Sequence, residues 1–303
     1  MLKKQSILFI LALVLSQSTF GLLDKEDFNI VNGKKYKRSL VFSPLASFFL
    51  PGFGQYLEGQ TNWGLGYTST WGAGLVIHKI SKGPSQISTD ALYGSPKILG
   101  MSLMGTAGMI SAYHDFHTGI RTHKEDFDFI KKEDSIKDIL AAPFDLSYLS
   151  DMRITLPLLG VAALVTYQIS ATEGVPSYQH SFGQRATNVF GLSYLAGTGE
   201  EAAFRGYLFP LIHSSVDRNF WLSNSIQAVV FGALHINKEN PFPLIQTALG
   251  AYLGWLSKEE GYSILPGTFL HHWWDVIAFS SILLRPDAKF TRPVGLELIN
   301  VRF

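Results

Sequence analysis

A chain of 303 residues has room for one large or two modest domains, and this one is 47% hydrophobic with charged residues held to 16%, well under the roughly 25% of an ordinary soluble domain. Its formal net charge of +1 is spread over both signs and forms no basic stripe, which excludes nucleic acid as a partner. The absence of cysteine excludes disulfides, thiolate metal sites and cysteine nucleophiles.

At the amino end, Lys3 and Lys4 precede the apolar run Ile7 to Leu15, with Ser16, Gln17 and Ser18 behind it. Residues 1–20 thus have the layout of a secretory signal or of an uncleaved signal anchor. After the basic cluster Lys34 to Arg38, the run Ser39 to Leu50 meets Pro51-Gly52-Phe53-Gly54-Gln55-Tyr56, where a proline and two glycines interrupt any helix and predict a membrane hairpin. This stretch resembles small bacterial hairpin domains with a similar Pro-Gly-x-Gly-Gln turn, a resemblance that implies no chemistry. Gly64 to Ile77 and Ile98 to Tyr113 approach the roughly 20 residues that cross a hydrocarbon core. Both are rich in Gly and Ser, as close helix packing in lipid prefers. Residues 21–114 are therefore read as an N-terminal membrane region.

From Asp115 the composition flips to mixed charge, so residues 115–150 are read as an extramembrane linker and a domain boundary. His114, His117 and His123 beside Asp115 lack a fixed ligand spacing and read as a solvated loop. Further on, Ile154 to Ser170, Val189 to Gly197, Phe220 to Ile236, Pro243 to Leu256 and Ile264 to Leu284 make residues 151–290 a helical membrane bundle, followed by a tail at 291–303. The expected fold class is all-α, a polytopic transmembrane helical bundle. Its layout suits a bacterial inner or cell membrane, and the lipid bilayer is its first partner. The placement of Lys and Arg gives no orientation.

Ionisable groups inside such helices are expensive and need partners or a task. Glu201 and Arg205 are four apart, in the favourable order for an ion pair on one helix face. Glu200 lies about 100° round the helix and lacks that partner, which suits a general base. His235 ends the helix that contains Phe231, whose neighbours Gly232 and Ala233 permit close approach. His271 and Asp275 are four apart on the last apolar helix, so the carboxylate can hold the imidazole or share a water or metal with it, while His272 points away. One glutamate and two histidines from three helices can activate water directly or ligate zinc through His235 and His271. The His-Glu-x-x-His helix of common zinc proteases is absent.

Glu200-Glu201-x-x-x-Arg205, Phe231-x-x-x-His235 and His271-x-x-x-Asp275, in this order and each on a hydrophobic helix, resemble the CAAX protease and bacteriocin-processing family of intramembrane proteases, also called the ABI family. The resemblance covers roughly Asp151 to Leu284. It implies an all-helical intramembrane endopeptidase in which Glu200 activates water and His235 and His271 position it or stabilise the oxyanion. Asp275 falls where many members have asparagine, and Glu201 with Arg205 stabilises the helix. The added negative charge of Asp275 favours a bound cation, and zinc is the one cofactor entertained. The expected substrate is a membrane-delivered peptide or protein. A non-catalytic immunity or scaffold protein of the same fold is the alternative, and a proton-relaying transporter ranks below both, since no inverted pair of broken helices is present.

Overall fold

The computed structural model describes residues 39–81, 95–121, 126–171, 181–236 and 241–284. The signal segment at 1–20, the basic cluster at 34–38, His123 and the tail at 291–303 lie outside the described residues. Among the described residues every regular element is helical. Four helices form the N-terminal part: α1 (Phe42–Phe49), α2 (Phe53–Leu57), α3 (Thr61–Ile80) and α4 (Pro96–Ile120). The short α5 (Ile136–Ala141) and two 3-10 turns lead into α6 (Met152–Ala171). Then come α7 (Phe182–Glu201), a π-helical turn (Ala202–Leu208), α8 (Phe209–Ser215), α9 (Phe220–Leu234), α10 (Leu244–Glu259) and α11 (Leu265–Leu284).

A turn at Pro51-Gly52 follows α1, and a buried polar network fastens it to α4. Gly52 takes the left-handed conformation (φ 95°) that the turn requires, and its N–H donates to Ser111 Oγ on α4 (2.9 Å). Asp115 Oδ2 accepts from Ser43 Oγ (2.9 Å) and Ser47 Oγ (2.5 Å) on α1, while Gln55 and Ser111 exchange two bonds. The linker expected from residue 115 therefore begins later. Asp115 and His117 are buried within α4, which runs on to Ile120, because their polar atoms find partners inside the bundle rather than in water. The boundary is not a gap between independent halves either. Thr106 Oγ1 on α4 donates to the Leu195 carbonyl on α7 (3.0 Å), and Phe116, Ile120 and Phe127 pack on Tyr207 of the π turn.

In the C-terminal half α11 lies between α6 and α7, and α9 packs along α10. Ile154, Leu158, Leu253, Leu256, Phe269 and Leu270 form the buried cluster that joins α6, α10 and α11. A capping box starts α7, with Ser181 and Gln184 satisfying each other's backbone N–H groups. Near its far end, two glycines let neighbours come close. A Cβ at Gly197 would lie 2.9 Å from the His272 nitrogen on α11, and one at Gly199 would lie 2.9 Å from Met109 on α4. Both close approaches fall just before the two glutamates.

By length and apolarity one described helix, α6, qualifies as a span on its own, and α9 is a shorter apolar helix. Most of α6 faces outward, with Leu156, Leu159 and Tyr167 exposed. Helices α4, α7 and α11 bury polar groups, among them Asp115, Glu201 and His271.

Candidate active site

The carboxyl end of α7 brings Glu200 and Glu201 into two different environments. Glu201 is fully buried, and its Oε1 accepts from Arg205 Nη1 at 2.8 Å and from His271 Nδ1 at 2.8 Å. Arg205, also fully buried, spends a second N–H on the Gly250 carbonyl of α10 (3.2 Å) and sets its guanidinium 4.4 Å from the centroid of the Phe231 ring, a favourable cation–π distance. Glu200 points elsewhere, as its position about 100° round the helix dictates. Its side chain is 25% exposed, and its Oε2 is a buried atom with no hydrogen-bond partner.

The two histidines present their Nε2 atoms to that oxygen. His271 Nε2 is 3.9 Å and His235 Nε2 is 4.0 Å from Glu200 Oε2. Each ring is held by its other nitrogen. His235 Nδ1 lies 2.8 Å from the Phe231 carbonyl, which can only accept, so Nδ1 carries a proton there. His271 Nδ1 likewise donates to the Glu201 carboxylate. Phe231 does three things at once: its carbonyl fixes His235, and its ring covers Arg205 and stands 4.8 Å and 5.8 Å from the rings of His235 and His271. Asp275 Oδ2 is 3.7 Å from His271 Nε2, beyond hydrogen-bond range. The carboxylate that orients His271 is thus Glu201 and not Asp275, which leaves Asp275 the other role open to it in sequence, that of sharing a water or metal with His271. The reason is packing: the close approach at Gly197 lays α11 against the Glu201 face of α7, and a Cβ at Gly267 of α11 would lie 3.1 Å from Glu201 Oε2.

The structure therefore brings together Glu200, His235, His271 and Asp275, with Glu201, Arg205 and Phe231 behind them. His272 turns to the other side of α11 and meets Phe190 and Tyr194. The part of Glu201 in holding His271 was missed in sequence, where it was only the mate of Arg205. An adjacent carboxylate pair in an apolar helix signals two different partners, but the spacing cannot say which helix supplies the second. The donor types of zinc are present in His235, His271, Glu200 and Asp275. Their nearest donor atoms are 3.7–4.0 Å apart, and among the described residues no group of three or more such side chains is set as a metal site. No chemical step below runs through a metal ion.

The comparisons bear on this same stretch. No curated protein and no solved structure matches the chain. Residues 183–277 match the family model described as type II CAAX prenyl endopeptidase Rce1-like. All seven residues of the site lie inside the match, and the N-terminal helices lie outside it. The segment that builds the site is thus similar to a membrane-embedded family of CAAX-type endopeptidases, the family that its three motifs resemble.

Proposed function

We propose that the protein is a multi-pass intramembrane endopeptidase that hydrolyses a peptide bond of a membrane-delivered substrate through water activated by Glu200. The observation that carries this reading is the convergence of two separately anchored imidazoles on one partnerless carboxylate oxygen, at 3.9 and 4.0 Å. Two hydrogen bonds of about 2.8 Å meeting at about 90° span that separation, so a water molecule bridges Glu200 and either histidine without any side chain moving.

In the first step the water oxygen attacks the scissile carbonyl carbon as Glu200 takes a water proton, and the carbonyl π pair moves onto oxygen. A doubly protonated imidazole that gives Nδ1–H to its holder has Nε2–H left for that oxyanion, which is the part assigned to His235 and His271. Glu200 then returns the proton to the leaving nitrogen as the C–N bond breaks. Asp275 Oδ2, 3.7 Å from His271 Nε2, is near enough to share a water with that nitrogen. Glu201, with its charge offset by Arg205, keeps the ring from rotating.

The test is cleavage of prenylated and signal-like membrane peptides by the purified protein in proteoliposomes, compared with Glu200→Gln. The reading expects cleavage by the wild type, none above background by the variant, and indifference to chelator. Equal cleavage by both proteins removes Glu200 from the chemistry, and wild-type inactivity on every peptide favours the scaffold alternative. Loss on chelation with rescue by zinc overturns the metal-free route.

A further inference from the structure

Residues outside the matched segment touch the chain next to two of the three helices that carry the site, α7 and α11. Pro210 has no N–H to give to the carbonyl four residues earlier, that of Gly206, and its ring crowds that carbonyl. The helix widens there into the π turn Ala202–Leu208, an irregularity common at functional sites. The Gly206 carbonyl accepts instead from His117 Nε2 on α4, at 2.9 Å. Tyr113, one turn earlier on α4, stacks on the His117 ring with centroids 4.1 Å apart. It also fills the space that a Cβ at position 206 would need.

The Tyr113 hydroxyl donates to the Asp134 carbonyl (2.9 Å). The Asp134 carboxylate in turn accepts from the Ile264 N–H (2.6 Å) and from Ser263 Oγ (2.8 Å), immediately before α11. The π turn directly follows Glu200 and Glu201, and α11 carries His271 and Asp275. One turn of α4 therefore grips the backbone on both sides of the candidate site.

We propose that His117 is a positioning residue for the hydrolytic site, supplying the Gly206 carbonyl with the donor that Pro210 withholds, and that Tyr113 braces it and ties the same point to the start of α11. The N-terminal helices are then part of the catalytic unit and not an appended domain. This rests on the endopeptidase reading for its kinetic consequence, but the positioning itself is measurable without activity.

The experiment compares His117→Ala, His117→Gln and Ile98→Ala in the full chain. Ile98 is a buried residue of the same helix, packed on Leu192 far from the π turn, and controls for general loosening of α4. Amide hydrogen exchange is read over residues 200–208 and 263–271. His117→Ala is expected to speed exchange in both stretches, His117→Gln to restore protection by placing an amide N–H near the lost Nε2, and Ile98→Ala to leave both protected. In the cleavage assay His117→Ala is expected to lower kcat by about tenfold or more, as loss of a group that orients a catalytic one does, with KM little changed. Unchanged exchange in His117→Ala, or the same exchange and kcat loss in Ile98→Ala, overturns the proposal. If the wild type cleaves nothing, the endopeptidase reading falls while the exchange data still decide whether His117 holds the turn.

Discussion

The two adjacent glutamates are chemically identical and structurally opposite, so replacing each by glutamine separates catalysis from stability. Glu201 is fully buried and accepts charge-assisted bonds at 2.8 Å from both Arg205 and His271. Glu201→Gln keeps an oxygen but removes the charge that offsets a fully buried guanidinium. Breaking a buried pair from one side costs about 3–5 kcal/mol, because the remaining charge is left uncompensated. Glu200 has no ion-pair contact closer than 3.9 Å and its Oε2 has no hydrogen bond to lose. Glu200→Gln is therefore expected to change stability by less than about 1 kcal/mol, as for weakly coupled, partly exposed charges, while abolishing cleavage. Reversible denaturation of both variants in the same detergent, followed by helix content, gives the two energies, and the cleavage assay gives the rates. If Glu200→Gln destabilises as much as Glu201→Gln, or if Glu201→Gln is neutral, then the division of labour drawn from burial and distance is wrong.

Arg205→Lys keeps the charge but loses the planar stack on Phe231 and the second donor to Gly250, so a loss of about 1–3 kcal/mol is expected in the same denaturation experiment; a neutral result would show that charge alone matters there. Gly232→Ala drives a Cβ into the Thr247 side chain where α9 meets α10, and overpacking of this kind costs about 1–3 kcal/mol. The double variant with Thr247→Ala should recover most of that loss, and failure to recover would place the strain elsewhere. Asp134 lies in the non-helical stretch before α5, and burial raises its carboxyl above the ordinary aspartate range. A group raised in the folded state contributes stability that is full below its unfolded pKa and fades as pH rises through the folded value. Wild-type stability should thus fall relative to Asp134→Asn on going from about pH 4 toward neutrality; parallel pH profiles of the two proteins would refute this.

Much of the site was legible because its parts are local. The four-residue spacings of Glu201 with Arg205, Phe231 with His235 and His271 with Asp275 place each pair on one helix face whatever the tertiary structure, and the angle between successive residues sends Glu200 and Glu201 to different neighbours. Apolar runs gave α6, α9, α10 and α11 within a few residues, since helix period and hydrophobicity are carried by the chain itself, whereas α7 starts seven residues before the run at Val189. Composition misled at residue 115, where a charged stretch looked like the start of a loop. Asp115 and His117 are polar because they bind Ser43, Ser47 and the Gly206 carbonyl, partners 68 to 89 residues away.

Sequence by itself determined an all-helical membrane-type bundle, the candidate carboxylate and imidazoles, and the shared face of each four-residue pair, because all of these follow from periodicity and side-chain chemistry. Only the tertiary structure decided that Glu201 rather than Asp275 holds His271, that the two Nε2 atoms meet at Glu200, and that α4 clamps the π turn. Those facts depend on which helices approach one another and at what depth, which is set by the summed packing of residues far apart in the chain and by no local pattern.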